Sequence, residues 1–160
     1  MHIYVHIPFC ARKCPYCGFF SVTEANGIPA YIEALKKEIL EQPVICSAEV
    51  EGDVETVDFG GGTPSYVEAE YVCEAFRYLR EMFSISEGEF TIEANPNSLD
   101  ESKARMYREA GFNRISIGVQ SLHDGVLKTL GRLHDRQEAL DAIACAKKAG
   151  FENISCDLKS

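Results

Sequence analysis

Apolar and polar residues alternate in five short stretches, and each of the first four is followed by apolar residues at three- and four-residue spacing. Residues 2–8 read as a strand that Pro8 ends. From Pro29, the spacing of Ile32, Leu35 and Ile39 predicts a helix that stops before Pro43, with Glu33 and Lys37 paired on its wet face. Residues 54–59 form a second strand that runs into Gly60-Gly-Gly-Thr-Pro-Ser65, and Val72, Phe76, Leu79 and Phe83 mark the next helix. A third strand at 90–94 is closed by Asn95-Pro96. Ser98 with Glu101 then reads as a capping box for a helix that Gly111 ends. Residues 114–120 are the fourth strand, Asp135 and Glu138 open a helix ending near Gly150, and residues 153–158 are the fifth strand.

Strands alternating with helices pair in parallel through right-handed crossovers. The run Ala-Gly-Phe recurs before strands four and five, at residues 110 and 149, as repeated units of this kind would have it. Cys10 to Cys17, Gly60 to Thr63, Glu93, Gln120 and Asp157 all fall at or just past C-terminal strand ends, the edge where parallel α/β proteins handle ligands. Because consecutive strands each contribute, the expected fold is α/β, a partial parallel β/α barrel, rather than an open sheet with one switch point.

Composition narrows the partners. The 160 residues suit one domain, and 16 Lys+Arg against 25 Asp+Glu give a formal charge of −9 without a basic block. That balance disfavours nucleic acid or an anionic membrane surface. With no leader sequence and no apolar run near the ~18 residues of a membrane span, a cytoplasmic protein is expected. Cys46, Cys73, Cys145 and Cys156 are then expected to be free thiols, small and buried.

The remaining three cysteines, Cys10, Cys14 and Cys17, stand at x3 and x2 spacing in the loop after the first strand. A closed structural zinc site needs four ligands, and only His6 offers a fourth. Cysteine-ligated iron–sulfur clusters fit three thiolates better, and a cubane so held keeps one iron open.

Beyond that spacing, Tyr16 precedes the last thiol and a glycine-rich turn follows strand two. In these features the chain resembles the radical S-adenosylmethionine (SAM) superfamily. More narrowly, six runs resemble the group of oxygen-independent coproporphyrinogen III oxidases and their heme-chaperone relatives. They are His6-Ile-Pro-Phe-Cys10, Cys14-Pro-Tyr-Cys17, Gly60-Gly-Gly-Thr-Pro-Ser65, Glu93-Ala-Asn-Pro96, Ser116-Ile-Gly-Val-Gln-Ser121 and Leu130-Gly-Arg-Leu-His134.

The resemblance implies a [4Fe-4S] cluster on Cys10, Cys14 and Cys17 whose open iron binds SAM. An electron from the reduced cluster cleaves the sulfonium to methionine and a 5′-deoxyadenosyl radical, which abstracts a hydrogen atom. It places Tyr4, Tyr16 and Gly18 beside the cofactors and Gly61, Gly62 and Thr63 on the methionyl part of SAM. Glu93 and Arg132 suit its ammonium and carboxylate, and Gln120 and Asp157 its ribose and neighbouring atoms. In the oxidases the radical acts on porphyrinogen propionates. In the chaperone branch the site is associated with heme, which is passed to acceptor proteins; either use needs an electron donor.

The oxidases carry a further cysteine where Phe19 stands, as the chaperones do not, while the chaperones usually have an acidic residue in place of Gly18. The expected protein is thus of the heme-chaperone type. Its rivals are a decarboxylating oxidase and a non-catalytic metal or heme binding module. Residues 1–160 are expected to be a radical SAM core domain with five of six strands, ending before the sixth strand and the C-terminal domain of the family.

Overall fold

The computed structural model describes residues 1–46 and 54–159. Strands β1 (His2–Ile7), β2 (Val54–Gly61), β3 (Ile85–Ala94), β4 (Arg114–Gln120) and β5 (Asn153–Leu158) form one sheet, parallel throughout and ordered as in the chain. Helices α1 (Ile28–Cys46), α2 (Ala69–Met82), α3 (Glu101–Ala110), α4 (Asp124–Thr129) and α5 (Arg136–Lys148) lie between the strands. Neighbours α1 and α2, α2 and α3, and α3 and α5 touch, so the large helices make one layer on one face. An all-parallel sheet with sequential order and one helical layer is a partial β/α barrel, the expected fold class.

Alternation along the strands separates the two faces. Val5, Ile7, Val57, Phe59, Ile92, Ile115 and Ile117 are buried and belong to the core under the helices. There Phe76 and Phe112 stack with centroids 4.5 Å apart while Phe59 meets both edge-on, the offset and T-shaped geometries that ring quadrupoles favour. The opposite parity, Tyr4, His6, Asp58, Thr91, Glu93, Ser116, Gln120 and Asp157, is polar and forms the concave face.

Five local expectations change. Strand β3 starts at Ile85 rather than at residue 90, and Glu33 pairs with Lys36 at 2.8 Å while Lys37 turns to Glu41 at 3.9 Å. Helix α1 continues past Pro43 to Cys46, at the cost of the one backbone donor that proline lacks. Helix α3 is capped by Asp100, whose carboxylate accepts from Lys103 N–H at 2.8 Å. Ser98 instead lies in a short 3-10 turn begun by Pro96, with its hydroxyl on the Asn95 carbonyl. Cys73 and Cys145 are only half-buried and Cys156 is exposed, though all three are free thiols. The Cys46 side chain and Ser160 lie outside the described residues.

Candidate functional site

The loop after β1 is pinned at both ends. Cys10 N–H donates to Val22 O at 2.9 Å and Val22 N–H to Pro8 O at 2.7 Å, so residues 10–22 leave and return at one point. Within it Cys17 N–H donates to Cys14 O at 3.1 Å, closing a turn between the last two cysteines. The chain leaving β2 runs alongside, with Gly62 N–H on Ile7 O at 2.9 Å and Thr63 N–H on Phe9 O at 2.8 Å. Close approach demands glycine here: a Cβ on Gly62 would come within 2.7–2.9 Å of the Pro8, Ile7 and Phe9 backbone, and Gly61 has φ +104°. Thr63 is thereby set beside the loop, its hydroxyl 3.5 Å from Cys10 Sγ.

Strands β3 to β5 complete the walls. Glu93 accepts from Gly61 N–H at 3.2 Å. Its surface is open to the cavity, yet desolvation by the surrounding protein raises its pKa, helped by Asp157 and Asp58 and opposed by the Gly61 N–H and His6. Between Ile117 and Gln120 the β4–β5 register shifts, and Gln120 takes φ +66°, a left-handed conformation rare for a side-chain-bearing residue. The bend is held from both sides: His134 Nε2 donates to Val119 O at 2.9 Å, and Lys159 N–H to Gln120 O at 2.9 Å. Ser116 donates to the Asp157 carboxylate at 3.3 Å.

The fourth wall comes from the turn after α4. Gly131 at φ +69° ends that helix, and Arg132 N–H reaches back to Leu127 O at 2.9 Å. The guanidinium then crosses to the cysteine loop: Nη1 points at Cys14 Sγ (3.6 Å) and the Tyr16 hydroxyl (3.5 Å), and Nη2 donates to Gly118 O at 2.8 Å and to Asn95 Oδ1. Its buried Nε has no protein partner. Burial raises the Tyr16 pKa, against the opposing pull of Arg132.

These elements enclose a cavity of about 400 Å³. Twelve of the thirteen candidate residues line it: Cys10, Cys14, Tyr16, Cys17, Gly18, Gly61, Gly62, Thr63, Glu93, Gln120, Arg132 and Asp157. Tyr4 is absent from the lining; its ring is half-exposed beside His6, 6.1 Å between centroids. Asn95, Ser116 and Gly118 also line the cavity and escaped the sequence reading. Asn95 and Gly118 stand inside runs already singled out, but only the folded chain reveals that a Cβ on Gly118 would come within 2.7 Å of Asn95 Oδ1. No three His, Cys, Asp or Glu side chains among the described residues converge on a single metal ion.

The family model for the radical SAM superfamily matches residues 4–158. Over 157 residues the chain is 39% identical to the heme chaperone HemW of Lactococcus lactis, covering 97% of this chain and 40% of that protein. The heme chaperone HemW of Bacillus subtilis is 34% identical over 158 residues, 97% of this chain and 41% of the relative. The structure of the radical SAM enzyme coproporphyrinogen III oxidase (HemN) from Escherichia coli superimposes with a TM-score of 0.87 at 30% identity, covering 98% of this chain and 36% of that one. The chain therefore spans about two fifths of the length of these curated relatives. Among the described residues no helix is long and apolar enough to cross a membrane.

Proposed function

Since the chain belongs to the radical SAM superfamily, we propose that its cavity binds a [4Fe-4S] cluster and SAM in the service of heme metabolism, as a heme chaperone. The observation that carries the reading is the convergence of the three loop thiols with Gly61, Glu93, Gln120, Arg132 and Asp157 around one cavity of about 400 Å³.

The residues fit both groups. Cys10, Cys14 and Cys17 would ligate three irons, soft sulfur donors being what such clusters require. The unpartnered Arg132 Nε is a buried donor in want of an acceptor, and a ligand carboxylate would supply one. Gly61, at φ +104°, lines the cavity and leaves room for the His6 ring, which a Cβ would meet at 2.4 Å, so its backbone faces the place where the methionyl part would lie. Glu93 would receive the ammonium, and Gln120 and Asp157 the ribose. Together the two groups supply a hydrogen-abstracting carbon radical through one-electron cleavage of the sulfonium.

Identity with the two chaperones, and Phe19 in the position where the oxidases have cysteine, favour heme as the further ligand. An electron donor, heme-acceptor proteins and a reducing, cytoplasmic setting belong to the same reading. A second reading, porphyrinogen decarboxylation, draws on the TM-score of 0.87 to the oxidase. Anaerobic reconstitution with iron and sulfide, followed by heme titration and by SAM cleavage with and without porphyrinogen, tests them. Heme binding with no vinyl product supports the chaperone, and 5′-deoxyadenosine formed in step with vinyl product supports the oxidase. Absence of a cluster, with Cys14→Ala indistinguishable from the parent, overturns both.

A further inference from the structure

Two side chains hydrogen-bond the thiols that would hold the cluster, and a third residue governs both. Thr63 Oγ1 lies 3.5 Å from Cys10 Sγ, and Arg132 Nη1 3.6 Å from Cys14 Sγ. The Asn95 side chain sits between them, with Nδ2 2.8 Å from Thr63 Oγ1 and Oδ1 on Arg132 Nη2.

The direction of every bond in this chain follows from one fact. A guanidinium only donates, so the amide must turn its oxygen to Arg132 and its NH2 to Thr63. A threonine hydroxyl that accepts from Asn95 keeps its own proton to give, and Cys10 Sγ is the acceptor within reach. On the other side, Nη2 is held by both Asn95 and Gly118 O, which leaves Nη1 aimed at Cys14. Asn95 is itself fixed through its backbone N–H, which donates to Ser65 Oγ at 3.0 Å.

We propose that Asn95 is a positioning residue that directs one hydrogen bond onto Cys10 and one onto Cys14, and so raises the reduction potential of the cluster. Donors to ligating sulfur withdraw charge and favour the reduced, more negative cluster. The inference rests on the cluster reading of the preceding subsection.

The test is a redox titration of the anaerobically reconstituted chain, followed by the paramagnetic signal of the reduced cluster rather than by turnover. Thr63→Val removes the hydroxyl at nearly constant volume and should move the one-electron equilibrium toward the oxidised cluster roughly tenfold, about 59 mV. Thr63→Ser keeps the donor and should stay near the parent.

Asn95→Asp places an acceptor opposite Thr63 and turns its proton away from Cys10. It should lower the potential and also abolish the coupling of a deuterium-exchangeable proton to the reduced cluster, which added charge alone would not do. Should Thr63→Val assemble no cluster, that coupling in Asn95→Asp decides. Variants that assemble a cluster with parental potential and parental coupling overturn the inference while the cluster reading stands. A parent chain that takes up no cluster overturns both.

Discussion

The Glu93 carboxylate occupies the space that a side chain at Gly60 would fill. A Cβ on Gly60 would come within 2.8 Å of both Cδ and Oε2 of Glu93, whose Oε2 accepts the N–H of Gly61. The strand end and the carboxylate therefore fit only because residue 60 carries nothing. Gly60→Ala should displace Glu93, a flexible partner, and leave the fold intact. SAM affinity, measured by calorimetry on the reconstituted protein, should fall about tenfold, the scale of one weakened charged hydrogen bond.

Gly62→Ala should behave differently, because the obstructing atoms are backbone. A Cβ there meets Pro8 C at 2.7 Å and Ile7 O at 2.8 Å, groups held by the pairing of the cysteine loop with the end of β2. Overpacking of this kind costs about 1–3 kcal/mol. Thermal unfolding of the apoprotein should drop by roughly 2–4 °C per kcal/mol.

Glu93 should leave a mark on stability against pH. Desolvation raises its folded pKa above the ordinary 4.5, so the folded chain binds its proton at a pH where the unfolded chain does not. Stability is therefore gained as pH falls through the raised value toward 4.5, and the ionised carboxylate is a burden at neutrality. Glu93→Gln should melt higher than the parent at pH 7, and the difference should close as the pH approaches 4.5. A constant difference across that window would contradict this.

His134 predicts the opposite slope. Its Nε2 donates to Val119 O, its buried Nδ1 has no protein partner, and burial lowers its pKa below 6.5. A folded state that refuses a proton loses stability as pH drops below 6.5 toward the lowered value, and keeps its full contribution above 6.5. Melting curves of the parent should fall between pH 7.5 and 5.5 more steeply than those of His134→Gln, whose amide can still donate to Val119.

The five strands were legible because β-branched runs bounded by glycine and proline admit few other readings, and the thiol triplet because its spacing is rare. The missed features have three different causes. Helix α4 has six residues and too few apolar positions to show a period. Ser98 is the expected start of the third helix, but Pro96 draws it into the preceding turn and Asp100 takes the cap instead. The left-handed backbone of Gln120 is set by His134 and Lys159, neither of which is its neighbour along the chain.

Strand order equal to chain order also fixes a timetable for synthesis. The cysteine loop is made before the later strands, while Arg132, whose Nη1 lies 3.6 Å from Cys14 Sγ, follows 118 residues later. At roughly 5–20 residues per second the interval is about 6–24 s. Through that interval Cys14 lacks the contact that Arg132 Nη1 gives it in the finished fold, so the surroundings of the first-made loop are completed by one of the later turns.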